Sequence, residues 1–228
     1  MTYREIINAV LLRLREQTIS TDWSGNINDS NVVTDYQKLI GALVNDTKRN
    51  CEQYHDWLIL RTSVDVTTVN GTRAYSLSSG QEIKILDAVN QNTGHQFVQV
   101  SKKYMNSVKY PSANTGEPMY YSFAGKDSSN NLKIEFEPVP TEAHTITFDI
   151  TKPQDELKLS TTELLIPAQP VILGAWARAI AERGEDGGTQ SGLAAQEAIA
   201  ELNKAVILDN SNIEFENDWY VSERQLNG

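Results

Sequence analysis

The sequence predicts an α+β fold: a four-helix bundle split by an inserted antiparallel β domain and followed by an extended C-terminal arm. Three observations predict it. Apolar residues recur at helical spacing in residues 3–17 and 34–58 and again from 168 to 206, they alternate with polar residues between 62 and 152, and the stretch after Asn210 keeps aromatics while showing neither period. With 228 residues and 39% hydrophobic content, the chain is long enough to bury such a core without covalent staples.

Thr2 and Glu5 form a capping-box pair, and Ile6, Ile7, Val10, Leu11 and Leu14 share one face of the helix that follows, expected to reach about Gln17. Residues 18–33 carry Ser, Asn, Asp and Gly without periodicity and read as a loop of functional or mobile character, in which Trp23 needs a packing partner. Thr34 and Gln37 repeat the capping box. Tyr36, Leu39, Ile40, Leu43, Val44, Thr47, Cys51, Tyr54 and Leu58 then continue a stripe, opposite a face of Lys38, Asp46, Lys48, Arg49, Glu52 and Gln53 that is expected to be solvated or to face a polar neighbour.

From Thr62 the period becomes two, with Val64, Val66 and Thr68 on one side, and Asn70-Gly71 is the pair favoured by two-residue type I′ hairpins. Further strands fit 75–77, 84–90, 97–100 and 119–124, and residues 101–110 fit a short helix. Leu132, Ile134 and Phe136, then Ile146, Phe148 and Ile150, alternate most clearly, and prolines at 138, 140 and 153 end these strands because proline donates nothing to a ladder.

After Pro167 the helical period returns through Ile172, Ala175, Trp176, Ala179, Ile180 and Arg183, stopping at the glycines 184, 187 and 188. Thr189 suits the cap of a last helix with Ala195, Ala198, Ile199, Leu202, Ala205 and Val206 on one face, fading near Asp209. The expected domains are therefore 1–61 with 153–210 (helical), 62–152 (β) and 211–228 (arm). In the arm Ile213, Phe215, Trp219, Tyr220 and Val221 are interleaved with acidic residues, and they are the candidate partner-docking residues, since aromatics in an aperiodic tail need apolar pockets on this chain or a neighbour.

The composition narrows the function classes. Thirty acidic against twenty basic residues give a formal charge of −10, with no cluster of Lys and Arg to grip phosphates, so tight DNA binding is not expected, while a surface that DNA slides past is compatible. No segment approaches a membrane span, MTYREIINAV lacks the apolar core of a signal peptide, and the single cysteine, Cys51, reads as a buried small side chain. His55, His95 and His144 lack zinc-site spacing and read as surface residues. The glycines from 184 to 192 lack the lysine of a phosphate loop and read as a helix–helix turn. Asp127 to Asn131 reads as a β-turn and not a calcium loop. No catalytic residue, metal ligand or cofactor site is expected, and Glu135 and Glu137, although on one strand face, read as exposed polar positions.

The segments TYREIINAVLLRLRE, DYQKLIGALVNDTKRNCEQYHDWLILRTSVDVTT, NGTRAYSL and LLIPAQPVILGAWARAIAERGEDGG resemble the head-to-tail adaptor (connector) proteins of short-tailed, podovirus-type bacteriophages. The resemblance implies a structural virion protein without enzymatic activity, assembled in the host cytoplasm. Its implied form is a homo-oligomeric ring of twelve subunits between the portal protein and the tail nozzle, with tail fibres as possible neighbours. The ring lines a channel that double-stranded DNA traverses without specific binding, and the arm from Ile213 to Val221 reaches the portal or an adjacent subunit. The alternative reading is a tail-associated carbohydrate or receptor-binding module whose Tyr110, Tyr120, Tyr121 and Phe123 stack on sugars.

Overall fold

Both capping boxes start helices where the sequence places them. In the computed structural model, which describes residues 1–77, 82–109, 114–184 and 188–213, the Glu5 amide donates to Thr2 Oγ1 and the Thr2 amide to a Glu5 carboxylate oxygen at 2.9 Å. The helix that follows, α1 (Tyr3–Arg13), stops short of Gln17 because Arg15 takes a left-handed backbone, φ +58°. Thr34 and Gln37 repeat the arrangement at the start of α2 (Asp35–Tyr54).

The chain divides into two compact units, Met1–Leu60 with Gln154–Gly228, and Arg61–Pro153. In the first, α1 and α2 pack with α4 (Ala168–Arg183), and α5 (Thr189–Ile213) lies along α4. Tyr3, Ile6, Ile7, Leu11, Ile40, Val44, Trp57 and Val171 fill the core. Close approach of α2 and α4 depends on Gly174, where an added Cβ would stand 2.6 Å from Thr47 Cγ2. Gly184 ends α4 in a left-handed cap, while Glu185, Asp186 and Gly187 lie outside the described residues. Thr189 is the first helical residue of α5 and not its cap, and the helix continues through Ser211, Asn212 and Ile213, past the point where an extended arm was expected to begin.

Residues 18–33 are irregular, as a loop should be, apart from a short 3-10 turn at Ile27–Asp29, and they are anchored to the helical core. Ile19, Trp23, Ile27 and Val33 are all buried in the helical core, and Trp23 packs edge-on against Tyr3 while its indole N–H donates to the Lys158 carbonyl at 2.9 Å. Burying an apolar side chain contributes about 1.5–3 kcal/mol, so four such anchors offset much of the entropy of ordering the segment.

The polar face of α2 is only partly solvated. Lys48 and Glu52, one turn apart, are both buried and form an ion pair at 3.2 Å. Lys48 Nζ also donates to the Gln154 carbonyl, and the Gln154 amide donates to the other Glu52 oxygen. Higher on the same helix, Asn45 donates to the Leu157 carbonyl and accepts from the Leu157 amide, both at 3.0 Å. Residues 154–166 thereby form a strap over α1 and α2, closed at its far end by the Tyr3 amide to the Thr162 carbonyl and the Leu164 amide to the Met1 carbonyl. Leu157, Leu164 and Ile166 of the strap enter the core.

The second unit carries the alternating strands. β1 (Arg61–Thr67), β9 (Thr145–Thr151) and β3 (Lys84–Asn90) form one antiparallel sheet in the order β1-β9-β3. The other, in the order β2-β7-β6-β4, is built from β2 (Ala74–Leu77), β4 (Val98–Gln99), β6 (Tyr120–Lys126) and β7 (Leu132–Glu137). The unit is not wholly antiparallel: β4 runs parallel to β6, and β5 (Thr115–Gly116) parallel to β8 (Val139–Pro140). α3 (Lys102–Lys109) lies where a short helix was expected. Phe136 of one sheet stacks on Phe148 of the other at 6.1 Å, and Val66, Leu77, Ile134, Ile146 and Ile150 complete the shared core.

Asn70-Gly71 does not make the expected hairpin. β1 pairs with β9 and β2 with β7, so the turn carries the chain from one sheet to the other. Gly71 alone has a positive φ, +75°, and the Thr72 amide donates to the Val69 carbonyl. That is type II-like geometry, whereas a type I′ turn needs positive φ at both central residues.

Lys48→Ala takes its cation away from the buried Glu52 carboxylate and is expected to cost about 3–5 kcal/mol in urea unfolding. The double variant Lys48→Met/Glu52→Leu, which removes both charges, is expected to lose clearly less. Equal losses in the two variants would show that the charges themselves are not what fixes this contact.

Candidate functional site

Among the described residues the candidate docking elements gather around α5. The core-facing side of this helix is its Ala194, Ala198, Leu202 and Val206 side, which meets α4 and the helical core. The helix also exposes Leu193, Ile199, Ile207 and Leu208, each with more than half of its surface in solvent. Four large aliphatic side chains exposed on one helix form the kind of patch that a solitary soluble chain rarely keeps and an assembling one uses.

The C-terminal turns of α5 are pinned to the end of α2. Asp209 accepts from the Leu58 amide at 3.1 Å and stands 2.8 Å from His55 Nε2, while Tyr54 donates its hydroxyl proton to Asn203. His55 also lies edge-on to the buried Trp57, so it is a half-buried clamp and not a surface residue. Of the expected docking residues, Ile213 is the last residue of α5, and Phe215, Trp219, Tyr220 and Val221 lie outside the described residues.

An apolar groove of about 560 Å³ runs between α2, α4 and α5, floored by Cys51, Gly174 and Ala177 and walled by Gly192, Ala195 and Ile199. Arg178 stands on its edge, 4.0 Å from Asp46. Small side chains on three helices leave this space open, and it is within the ~300–1,000 Å³ range of ordinary binding pockets. Composition could not reveal it, because each alanine and glycine there reads equally well as close helix packing. Cys51 is buried as expected, and burial pushes its thiol up to about 11.

The remaining candidates are structural. His144 is buried, contrary to expectation, with its ring 3.4 Å from Asn90 Nδ2 and its amide donating to Thr68 Oγ1. Glu137 is also buried and paired with Arg73, whose Nε donates to the Phe136 carbonyl, so it does not belong to an exposed face. Glu135 pairs separately with Lys102. Asp127 organises the β6–β7 turn as expected: its carboxylate accepts from the Asn131 and Ser129 amides, and these hydrogen bonds, that from Asn131 foremost, hold it below the usual carboxylate range. Among the aromatics of the alternative reading, Tyr121 is buried edge-on against Phe148, Phe123 is partly exposed, and Tyr110 lies outside the described residues. Tyr121 is therefore occupied by the sheet core and offers no sugar-stacking face.

Among the described residues no group of three or more His, Cys, Asp and Glu is arranged to hold a metal ion, and no helix is long and apolar enough to cross a membrane. The decisive comparison is at the level of family. The family described as SU10 adaptor protein matches residues 1–216. The chain belongs to the SU10 adaptor protein family. Its match spans both units, so the β unit between the two helical segments is part of what this adaptor family shares. Membership agrees with the resemblance to phage head-to-tail adaptors drawn from the sequence. No curated protein matches the chain.

The Cys51 thiol of this adaptor is expected to resist iodoacetamide at pH 8, where a thiol at about 11 is almost wholly protonated, and to react rapidly after unfolding in urea. Fast labelling of the folded protein would show that the thiol is not buried.

Proposed function

We propose that this chain is the head-to-tail adaptor of a short-tailed phage, a structural virion protein that closes a ring, of twelve copies, between portal and tail nozzle. The observation that carries the reading is the family match over residues 1–216. In this assembly residues 1–61 and 153–210 act as one four-helix bundle domain, 62–152 as a β domain inserted into its sequence, and 211–228 as the docking arm. Ile213, Phe215, Trp219, Tyr220 and Val221 anchor that arm on the portal or an adjacent subunit. Tail fibres are further neighbours of such a ring.

Physical chemistry supports the reading in two ways. A formal charge of −10 gives passing DNA no counterion-release incentive to stick, which suits the lining of an ejection channel. The exposed aliphatic side chains of α5 supply apolar surface for contact between copies, and a contact between unlike surfaces closes into a ring when its rotation closes. The reaction chemistry of an enzyme finds no support in the paired acidic residues, since Glu135 and Glu137 are each engaged by a cation.

The purified protein is expected to be monomeric or weakly associated alone and to form closed rings when mixed with its portal, visible by negative-stain electron microscopy. A protein that leaves the portal bare, or that hydrolyses peptidoglycan instead, would overturn the proposal. Truncation after Asn210 is expected to abolish docking. Unchanged docking would remove only the role of the arm.

A further inference from the structure

We propose that the groove between α2, α4 and α5 is the receiving site for residues 214–228 of a second copy of this chain. The inference rests on the reading that copies of the chain assemble with one another, and it names the surface through which they do so.

The groove and the tail have matching chemistry. The groove is apolar, with Cys51, Gly174, Ala177, Ala195 and Ile199 around a volume of about 560 Å³, enough for a large aromatic side chain. Ile199 on its wall is 56% exposed, so the apolar surface is uncovered in the single chain. The fifteen residues beyond Ile213, EFENDWYVSERQLNG, contain Phe215, Trp219, Tyr220 and Val221. Rigid aromatics of this type dominate binding energy when they fill pockets. Their neighbours Glu214, Glu216, Asp218 and Glu223 outnumber the single cation Arg224, and the charged group lining the groove is Arg178, a half-exposed cation whose nearest carboxylate, Asp46, stands 4.0 Å away.

The direction of the chain favours a second copy over the same one. The groove is built on the N-terminal half of α5, from Gly188 to Leu202, whereas the tail leaves that helix at Ile213, more than ten residues further on. At 1.5 Å per residue the exit lies roughly 16 Å beyond the last lining residue and runs away from it. A tail that continues in that direction meets the groove of a neighbour placed head to tail, and repetition of one such unlike contact is what generates a ring.

Gly192 allows a clean test, because it lines the groove and a Cβ there would meet nothing within 4 Å. Leucine is also favoured over glycine inside a helix, so Gly192→Leu fills the groove without threatening the fold. The probe is a fluorescent synthetic peptide with the sequence of residues 214–228, titrated with full-length protein at low concentration and read by anisotropy. Saturable binding to the wild type is expected, with at least a tenfold loss for a Trp219→Ala peptide. At least a tenfold loss is also expected for the Gly192→Leu protein, whose melting temperature should be unchanged. Equal binding by wild-type and Gly192→Leu proteins would place the tail on another surface. Binding by full-length Trp219→Ala/Tyr220→Ala protein but not by the wild type would show that each tail fills its own groove. An absence of binding by both would also overturn the proposal. In these cases rings on the portal would still stand for the adaptor role, whereas the absence of wild-type rings would remove that role itself.

Discussion

The strap of residues 154–166 is the constraint on which the helical unit depends. The chain leaves that unit after Leu60 and re-enters it at Gln154, so its core must be closed by two segments far apart in sequence. An irregular segment laid over two helices brings backbone amides and carbonyls that need partners. α2 supplies them from its own side chains: Asn45 pairs with both polar groups of Leu157, and the Lys48–Glu52 pair holds the amide and carbonyl of Gln154. Trp23 binds the strap from the other side through Lys158, and Ser160 returns a hydrogen bond to the Trp23 carbonyl. Without these bonds, Leu157, Leu164 and Ile166 would have no fixed path into the core.

Local features were legible in the sequence where short-range physics decides them. The two capping boxes, the alternation of Ile146, Phe148 and Ile150, the strand 84–90 and the Asp127 turn each depend on side chains within a few residues of one another. What the sequence did not disclose is decided by partners far along the chain. Lys48 and Glu52 sit on the polar side of the α2 pattern and are buried only because the strap arrives there. Asn70-Gly71 carries the local signature of a hairpin, yet β1 and β2 each find a better partner, in β9 and β7, more than fifty residues away. Residues 18–33 look like a loop because they lack a period, and four isolated apolar anchors in a polar segment carry no periodic signal.

The candidate site was less legible than the fold. Tail aromatics are visible by composition, and their placement in an acidic aperiodic stretch is what proposes them as docking residues. A groove lined by small residues of different helices has no such mark, and only packing brings Gly174, Ala177, Gly192 and Ala195 around one space. The function follows the same division. Family membership supplies the word adaptor, while the exposed α5 side chains and the groove supply surfaces through which an adaptor can engage its neighbours.

A ring that joins portal to nozzle must be present in the same small, fixed number in every particle. Quantitative mass spectrometry of purified virions, with isotope-labelled peptides of this chain and of the portal protein as standards, measures that number directly. The adaptor account predicts one copy for each portal subunit, about twelve per particle. A copy number in the hundreds, or a few copies that vary between preparations, would contradict it.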